Sequence, residues 1–400
     1  MKEAAFQSRV VRAESTGQHY LYLLAPDGDW LGVADGRPAT QGYVDDNALW
    51  SHNGNEFVHV VTRLRLSGSA RPGGRLRHAG AELGVDGSPV ADGQGAVFAA
   101  GHGPERLPSE YLHSLRENGW VALTHLLAPD VVDGLQKLGC VDDHELRTPQ
   151  RDAPQVVQDP ALARATAEPL TAWLCRQYMA TNDITLGHPP SVSALTPDDG
   201  QRPVQGWHTD FPYLWGTGDR VPVQNGVLTL GMQRNVCVSD FRKENGATVF
   251  KLGTHRQPAV PPRAWGISND TYRPGHREQF GLPYGGPDTE VIEAPAGTII
   301  LYDARTWHRA GVNLTQRKRG AIVQAIVPGF IMPFMDVSAT FKAYIESMVP
   351  AQLSARERRD LEKLMLHRIS GPAGLFAITT DAVLTERVRA LRAPARSSAY

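Results

Sequence analysis

Short runs of alternating apolar residues, punctuated by Asp-Gly and Asn-Gly pairs, are the feature that most restricts how this chain can fold. Tyr20-Leu21-Tyr22-Leu23-Leu24 and the run from Phe57 to Leu66 have strand length and strand periodicity. Asp27-Gly28, Asp35-Gly36, Asn53-Gly54 and Asp86-Gly87 lie between such runs. Tight hairpin turns need positive φ at their central residues, which these dipeptides adopt at the least steric cost. Residues 1–105 therefore predict a small β-rich accessory domain built of hairpins. Leu-Gly-Val occurs at 31–33 and again at 83–85, which predicts a weak internal repeat.

Helical signals begin after that region. Pro108-Ser109-Glu110 opens one helix, and Ala128-Pro129-Asp130 opens a second. A third is predicted over 160–179, and a strand over 120–123. Strands return at 226–231, 247–252, 297–302 and 321–327. The tail from 336 to 392 has helical periodicity, with Leu361, Leu364 and Met365 on one face of an amphipathic stretch. Its arginines read as a solvated face. The fold class is thus mainly β with flanking α-helices, in three parts: 1–105, 106–335 and 336–400. The N-terminal part or the C-terminal helices offer surfaces for a homodimer.

Composition excludes several roles. With 41 basic and 42 acidic residues the formal charge is −1, so nothing draws the whole chain to nucleic acid or to an anionic membrane. No apolar run reaches the length of a membrane span. Residues 1–13 lack the apolar core of a signal peptide. Three scattered cysteines, Cys140, Cys175 and Cys237, argue against a disulfide framework and for a reducing, cytoplasmic location.

The chemistry concentrates in Gly206-Trp207-His208-Thr209-Asp210-Phe211-Pro212. On an extended backbone, residues i and i+2 point the same way. An imidazole and a carboxylate so placed take two adjacent positions on a metal. A distant histidine completes the facial triad of non-haem Fe(II) oxygenases. His276-Arg277-Glu278 has the same spacing, so context must decide. Downstream, a strand over 297–302 leads to Trp307-His308. Gly311 and Asn313 then provide a turn, and Arg317-Lys318-Arg319-Gly320 enters a second apolar strand. Alternation along that strand gives Arg317 and Arg319 the parity of Ala321 and Val323, and excludes Lys318. Arg319 is nearer the strand, with Arg317 the weaker candidate. An arginine fork there suits a dicarboxylate anchored at its far end. His276 lies in a loop-like stretch with little chain between it and His308.

These residues resemble the phytanoyl-CoA dioxygenase superfamily. Trp207-His208-Thr209-Asp210, Glu244-Asn245-Gly246-Ala247-Thr248 with Gly253-Thr254-His255-Arg256, and Trp307-His308 with Arg319 carry the likeness, over about 107–335. The resemblance implies a double-stranded β-helix (a jelly-roll, cupin-like core). It implies Fe(II) held by His208, Asp210 and His308, 2-oxoglutarate held by Arg319, and O2 as oxidant. It also implies hydroxylation of an unactivated C–H bond with release of succinate and CO2. Related halogenases replace the carboxylate with a small residue, so Asp210 favours oxygen insertion. Trp207, Phe211, Tyr213, Trp215 and Arg256 are candidates for substrate contact. The substrate is expected to be a small metabolite or natural-product intermediate. The rival readings are a 2-oxoglutarate-independent cupin-type metal oxygenase, and a non-catalytic binding protein that uses its N-terminal β domain.

Overall fold

The computed structural model describes residues 11–12, 19–69, 74–101, 104–141, 144, 152–216, 228–257, 259–372 and 374–390. Contacts divide the chain into two compact units.

The first unit comprises Met1–Ser114, Ala167–Leu174 and Leu353–Asp360. Its centre is an antiparallel sheet running through Pro89–Val90, Ala81–Leu83, Leu76–His78, Arg65–Gly68, Glu56–His59, Leu49–Asn53, His19–Leu24, Trp30–Ala34 and Arg37–Gln41. The predicted turns fall between these strands. Asp35 and Gly36, at φ 50° and 71°, join Trp30–Ala34 to Arg37–Gln41. Gly54, at φ 65°, lies in the turn between Asn53 and its cross-strand partner Glu56. One face buries Leu23, Leu31, Trp50, Phe57, Leu66 and Phe98. The Leu-Gly-Val repeat does not survive. Val33 is a buried strand residue, whereas Val85 is 44% exposed in a turn. Nor are all the arginines of the tail solvated. Arg356 is buried in this unit, donates to Ala167 O at 2.9 Å and pairs with Asp360 at 3.1 Å.

The second unit is mainly antiparallel β with helices. Its larger sheet runs Trp120–Leu123, Ile299–Asp303, Met232–Cys237, Arg319–Pro328 and Ile184–Leu186, with Val192–Leu195 also on Arg319–Pro328. A smaller sheet holds Glu290–Val291, Val249–Lys251 and Trp307–Arg309. Between the sheets lie Cys237, Phe241, Phe250, Ile300, Tyr302 and Ala321. The long Arg319–Pro328 strand is buried on both faces, hence its nearly continuous apolar sequence. On the face away from this interior, Arg234 donates to Gln324 Oε1 at 2.9 Å and to Thr166 O at 2.7 Å. That network satisfies a fully buried guanidinium.

Two predicted elements differ. Of the strand expected at 226–231, residues 226 and 227 lie outside the described residues and 228–231 form no strand; the strand is Met232–Cys237. The helix expected over 160–179 breaks into Pro160–Thr166 and Pro169–Met179. Pro169 lacks an N–H to continue the first helix, and the Glu168 carboxylate accepts from Leu170 N and Thr171 N to start the second. In the tail, Leu361, Leu364 and Met365 are buried as expected, but a hairpin of Arg368–Gly371 and Gly374–Ala377 interrupts the helices. Among the described residues no helix is long and apolar enough to cross a membrane.

Candidate active site

His208 and His308 meet as an isolated antiparallel bridge. His208 N donates to His308 O at 3.0 Å and His308 N to His208 O at 3.2 Å. Residues directly opposite in such a pair project from the same face. Their rings come within 4.2 Å of each other, centroid to centroid. Asp210, two residues after His208, is fixed by its own N–H donating to Ala304 O at 2.9 Å. The ligand atoms of His208, Asp210 and His308 all lie within 4.8 Å of one another.

The rings are set for a metal. His208 Nδ1 faces Gly206 O at 2.8 Å and His308 Nδ1 faces Thr306 O at 2.9 Å. A carbonyl only accepts, so each Nδ1 carries the proton and each Nε2 keeps its lone pair. His308 Nε2 is 3.1 Å from Asp210 Oδ2, and His208 Nε2 is 3.7 Å from Oδ1. Burial, with the nearby charge of His308, pushes His208 down to about 4. Burial also works against a charged His308, but Asp210 outweighs it and holds His308 above its ordinary value. Burial alone would raise Asp210; the two histidines and Tyr302 bring it below the usual carboxylate range. Two imidazoles and one carboxylate on one face are the donor set suited to Fe(II).

Around the triad, Tyr302 Oη donates to Asp210 Oδ2 at 3.0 Å and orients the carboxylate. The turn that carries Thr306 and His308 is held by a buried ion pair. Arg305 Nε donates to Asp303 Oδ1 at 2.9 Å, and Nη2 to Oδ2 at 2.7 Å. Tyr178 Oη donates to the same carboxylate at 3.0 Å.

Arg319 is buried on the strand that runs beside this centre. It donates to Gly246 O at 3.0 Å and lies 4.5 Å from the Phe241 ring centroid. Its Nε has no hydrogen-bond partner, and burial pushes its pKa down to about 10. A guanidinium so dry, with no carboxylate from the described residues, is incomplete without an anion. It lines a cavity of about 330 Å³ with Val323, Gln205 and Ala310, and Ala310 is two residues from His308. The distal carboxylate of 2-oxoglutarate fits that place. A larger cavity of about 680 Å³ is lined by Trp265, His276 and Tyr284 among others; neither cavity is lined by His208, Asp210 or His308 themselves.

The other predicted residues divide. Arg317 is exposed, as its turn position expects. Phe211 packs on Ala325 and Val327 of the Arg319–Pro328 strand, and Trp215 is half-buried. Three expected substrate contacts are placed elsewhere. Trp207 has the opposite parity to His208 and sits in an outer core with Val249 and Trp307, its Nε1 donating to Tyr284 O at 3.0 Å. Tyr213 is buried, its Oη accepting from Leu230 N at 3.0 Å. Arg256 is a surface side chain that donates to Arg116 O at 2.6 Å near Glu117. For Tyr213 the cause is local: residues 211–213 form a turn on Asp210 O, so strand alternation stops at the metal pair. His276 begins a short helix, His276–Phe280, and is not one of the clustered donors. The sequence reading missed Tyr302, Gln233 and Asn235. Tyr302 shares alternation with Ile300 on a recognised strand, and that was its available signal.

Comparison with known proteins agrees with this geometry. Residues 115–321, just over half of the chain, match the family described as phytanoyl-CoA dioxygenase (PhyH). Dioxygenase hkm4 of Aspergillus hancockii is 28% identical over 183 residues, 44% of this chain and 50% of that protein. Dioxygenase olcK of Penicillium canescens is 27% identical over 161 residues, covering 40% and 45%. The chain thus spans about half the length of the curated relatives it matches. Among solved structures, HygX from Streptomyces hygroscopicus matches with TM-score 0.39 and 15% identity, over 56% of this chain and 87% of that chain. SnoN, a non-heme alpha ketoglutarate dependent epimerase from nogalamycin biosynthesis, matches with TM-score 0.37 and 16% identity, over 56% and 81%. With its matched segment taking in His208, Asp210, His308 and Arg319, the chain belongs to the phytanoyl-CoA dioxygenase family.

Proposed function

We propose that this protein is an Fe(II)- and 2-oxoglutarate-dependent dioxygenase that hydroxylates an unactivated C–H bond of a small metabolite or natural-product intermediate. One observation carries the reading: three metal-type donors on one face share an interior with a buried arginine that no carboxylate of the described residues answers. Bound there, Fe(II) with 2-oxoglutarate and O2 supplies the oxidising chemistry, leaving succinate and CO2. The chain's own residues do the rest. His208, Asp210 and His308 would hold the metal, and Arg319 would receive the far carboxylate of 2-oxoglutarate. Tyr302 fixes the orientation of the Asp210 carboxylate. Burial of both histidines excludes bulk water from that side. The carboxylate of Asp210 fills the position a halogenase leaves open, which favours hydroxylation over halogenation. We further infer that the two sheets are the halves of a double-stranded β-helix, since Tyr302 and Ala321 of the larger sheet and Phe250 of the smaller pack into one core.

Succinate formation from 2-oxoglutarate tests the reading. It is expected to require added Fe(II) and O2 and to vanish in Asp210→Ala. Turnover that proceeds equally well without 2-oxoglutarate would return the cupin-type alternative.

A further inference from the structure

Beside the triad, the Met232–Cys237 strand turns Gln233, Asn235 and Cys237 toward the interior. Their cross-strand partners on Arg319–Pro328 are Ala325, Val323 and Ala321. Gln233 and Asn235 are each only 3% exposed, yet Gln233 Oε1 and Asn235 Oδ1 have no hydrogen-bond partner. Native interiors rarely leave such atoms empty without a functional reason.

For Asn235 the neighbours decide which end of the amide points where. The Tyr302 hydroxyl gives its proton to Asp210, donating to Oδ2 at 3.0 Å. Tyr302 Oη then has only lone pairs left, and it accepts from the Asn235 side-chain amide. One N–H of the amide is thereby committed to Tyr302, and Oδ1, on the other arm, is left as a pure acceptor. The 2-oxoglutarate dianion has no donor to offer it. What completes Asn235 is an O–H or N–H from the substrate.

Apart from Gln233 and His188, whose ring is 5.3 Å from that of Phe334, the neighbouring side chains are apolar. Phe211 lies on Ala325, the partner of Gln233, and on Val327. The Phe334 ring is 5.1 Å from Phe211. Phe330, Met332 and Met335 continue from there at 65%, 76% and 51% exposure. A run of exposed phenylalanine and methionine continuous with a metal site marks a surface that adapts to an apolar ligand.

We propose that Asn235 reads the substrate of this site, and that the substrate is an apolar scaffold bearing a hydroxyl or N–H donor. The proposal rests on the Fe(II)/2-oxoglutarate reading of the same centre. Docking would complete a chain of hydrogen bonds from the substrate through Asn235 and Tyr302 to the metal ligand Asp210.

Borneol, bornyl methyl ether and camphor present one apolar scaffold with a donor, a blocked oxygen and a ketone. Each is titrated calorimetrically into the anaerobic Fe(II)·2-oxoglutarate complex of the wild type, Asn235→Leu and Asn235→Val. Wild type is expected to bind borneol roughly tenfold more tightly than the other two. In both variants the preference shrinks to about twofold or less, while the visible absorption of the Fe(II)·2-oxoglutarate complex is retained. Equal affinities in the wild type, no detectable borneol binding, or a preference that survives in the variants overturns the proposal while that absorption leaves the metal reading intact. Absence of the absorption from the wild type removes both together.

Discussion

Replacing Arg319 by methionine should separate stability from affinity. Burial takes the Arg319 pKa from 12.5 down to about 10. At about 1.4 kcal/mol per pH unit, keeping that charge without an anion costs about 3 kcal/mol. Against this, donation to Gly246 O contributes about 1 kcal/mol and the Phe241 face about 1–2 kcal/mol. Methionine removes cost and contribution together. The metal-free, ligand-free variant is therefore expected within about 1–2 kcal/mol of the wild type, a change in Tm of a few degrees. Ligand binding moves far more. A charge-assisted pairing with carboxylate contributes about 1.5–3 kcal/mol, so 2-oxoglutarate affinity falls roughly 10- to 150-fold. At a concentration about 100 times the wild-type Kd, the co-substrate stabilises the wild type by about 2.7 kcal/mol. A variant with about 100-fold weaker binding gains only about 0.4 kcal/mol. Anaerobic thermal unfolding with and without Fe(II) and 2-oxoglutarate measures both quantities. A variant that unfolds far below the wild type without ligand, yet keeps the full ligand-induced shift, would show that Arg319 is a structural cation and refute this reasoning.

Other residues give independent checks. Asp303→Ala leaves Arg305 buried without its carboxylate and should destabilise the protein by about 3–5 kcal/mol in chemical denaturation; a loss under about 1 kcal/mol contradicts the buried pair. Tyr302→Phe removes the hydrogen bond to Asp210 and should weaken metal binding about 10- to 100-fold with the fold intact; unchanged affinity in a metal competition assay would remove Tyr302 from the site. The pH dependence follows from His308, whose pKa is raised in the fold. Its pairing with Asp210 stabilises the metal-free protein fully below the ordinary 6.5, and that contribution is lost as pH rises through the raised value. A metal needs the deprotonated ring, so metal affinity rises over the same window, by up to about tenfold per pH unit. Calorimetry in buffers of different ionisation enthalpy should find proton release on metal binding near neutrality, and none would be found if His308 were already neutral.

The parts of this account legible in the sequence are those set by local alternation. His208 and Asp210 share a face because the backbone there is extended, and Arg319 shares parity with Ala321 because both lie on one strand. The hairpins of the first unit were legible because Asp35-Gly36 and Asn53-Gly54 have few other conformations to adopt. What the sequence hid depends on register between distant segments. Gln233, Arg234 and Asn235 look like a polar break in a strand. They are buried because one face meets Thr166 and Gln324 and the other meets Tyr302 and Val323. Tyr213 and Trp215 follow the metal pair in sequence but not in direction, because the chain turns on Asp210 O. Arg356 reads as a surface arginine until it is seen to donate to Ala167 O and to pair with Asp360 one turn along its own helix.

The central claim is that one interior holds Fe(II) on His208, Asp210 and His308 and 2-oxoglutarate on Arg319. Anaerobic titration of the metal-free protein with Fe(II) and then 2-oxoglutarate, followed by visible absorption, tests it most directly. A weak charge-transfer band of the chelated 2-oxo acid is expected to saturate at one equivalent of metal, to be lost in Asp210→Ala and to need far more 2-oxoglutarate in Arg319→Ala. Iron binding without the band would contradict the co-substrate assignment, and no iron binding would contradict the metal site itself.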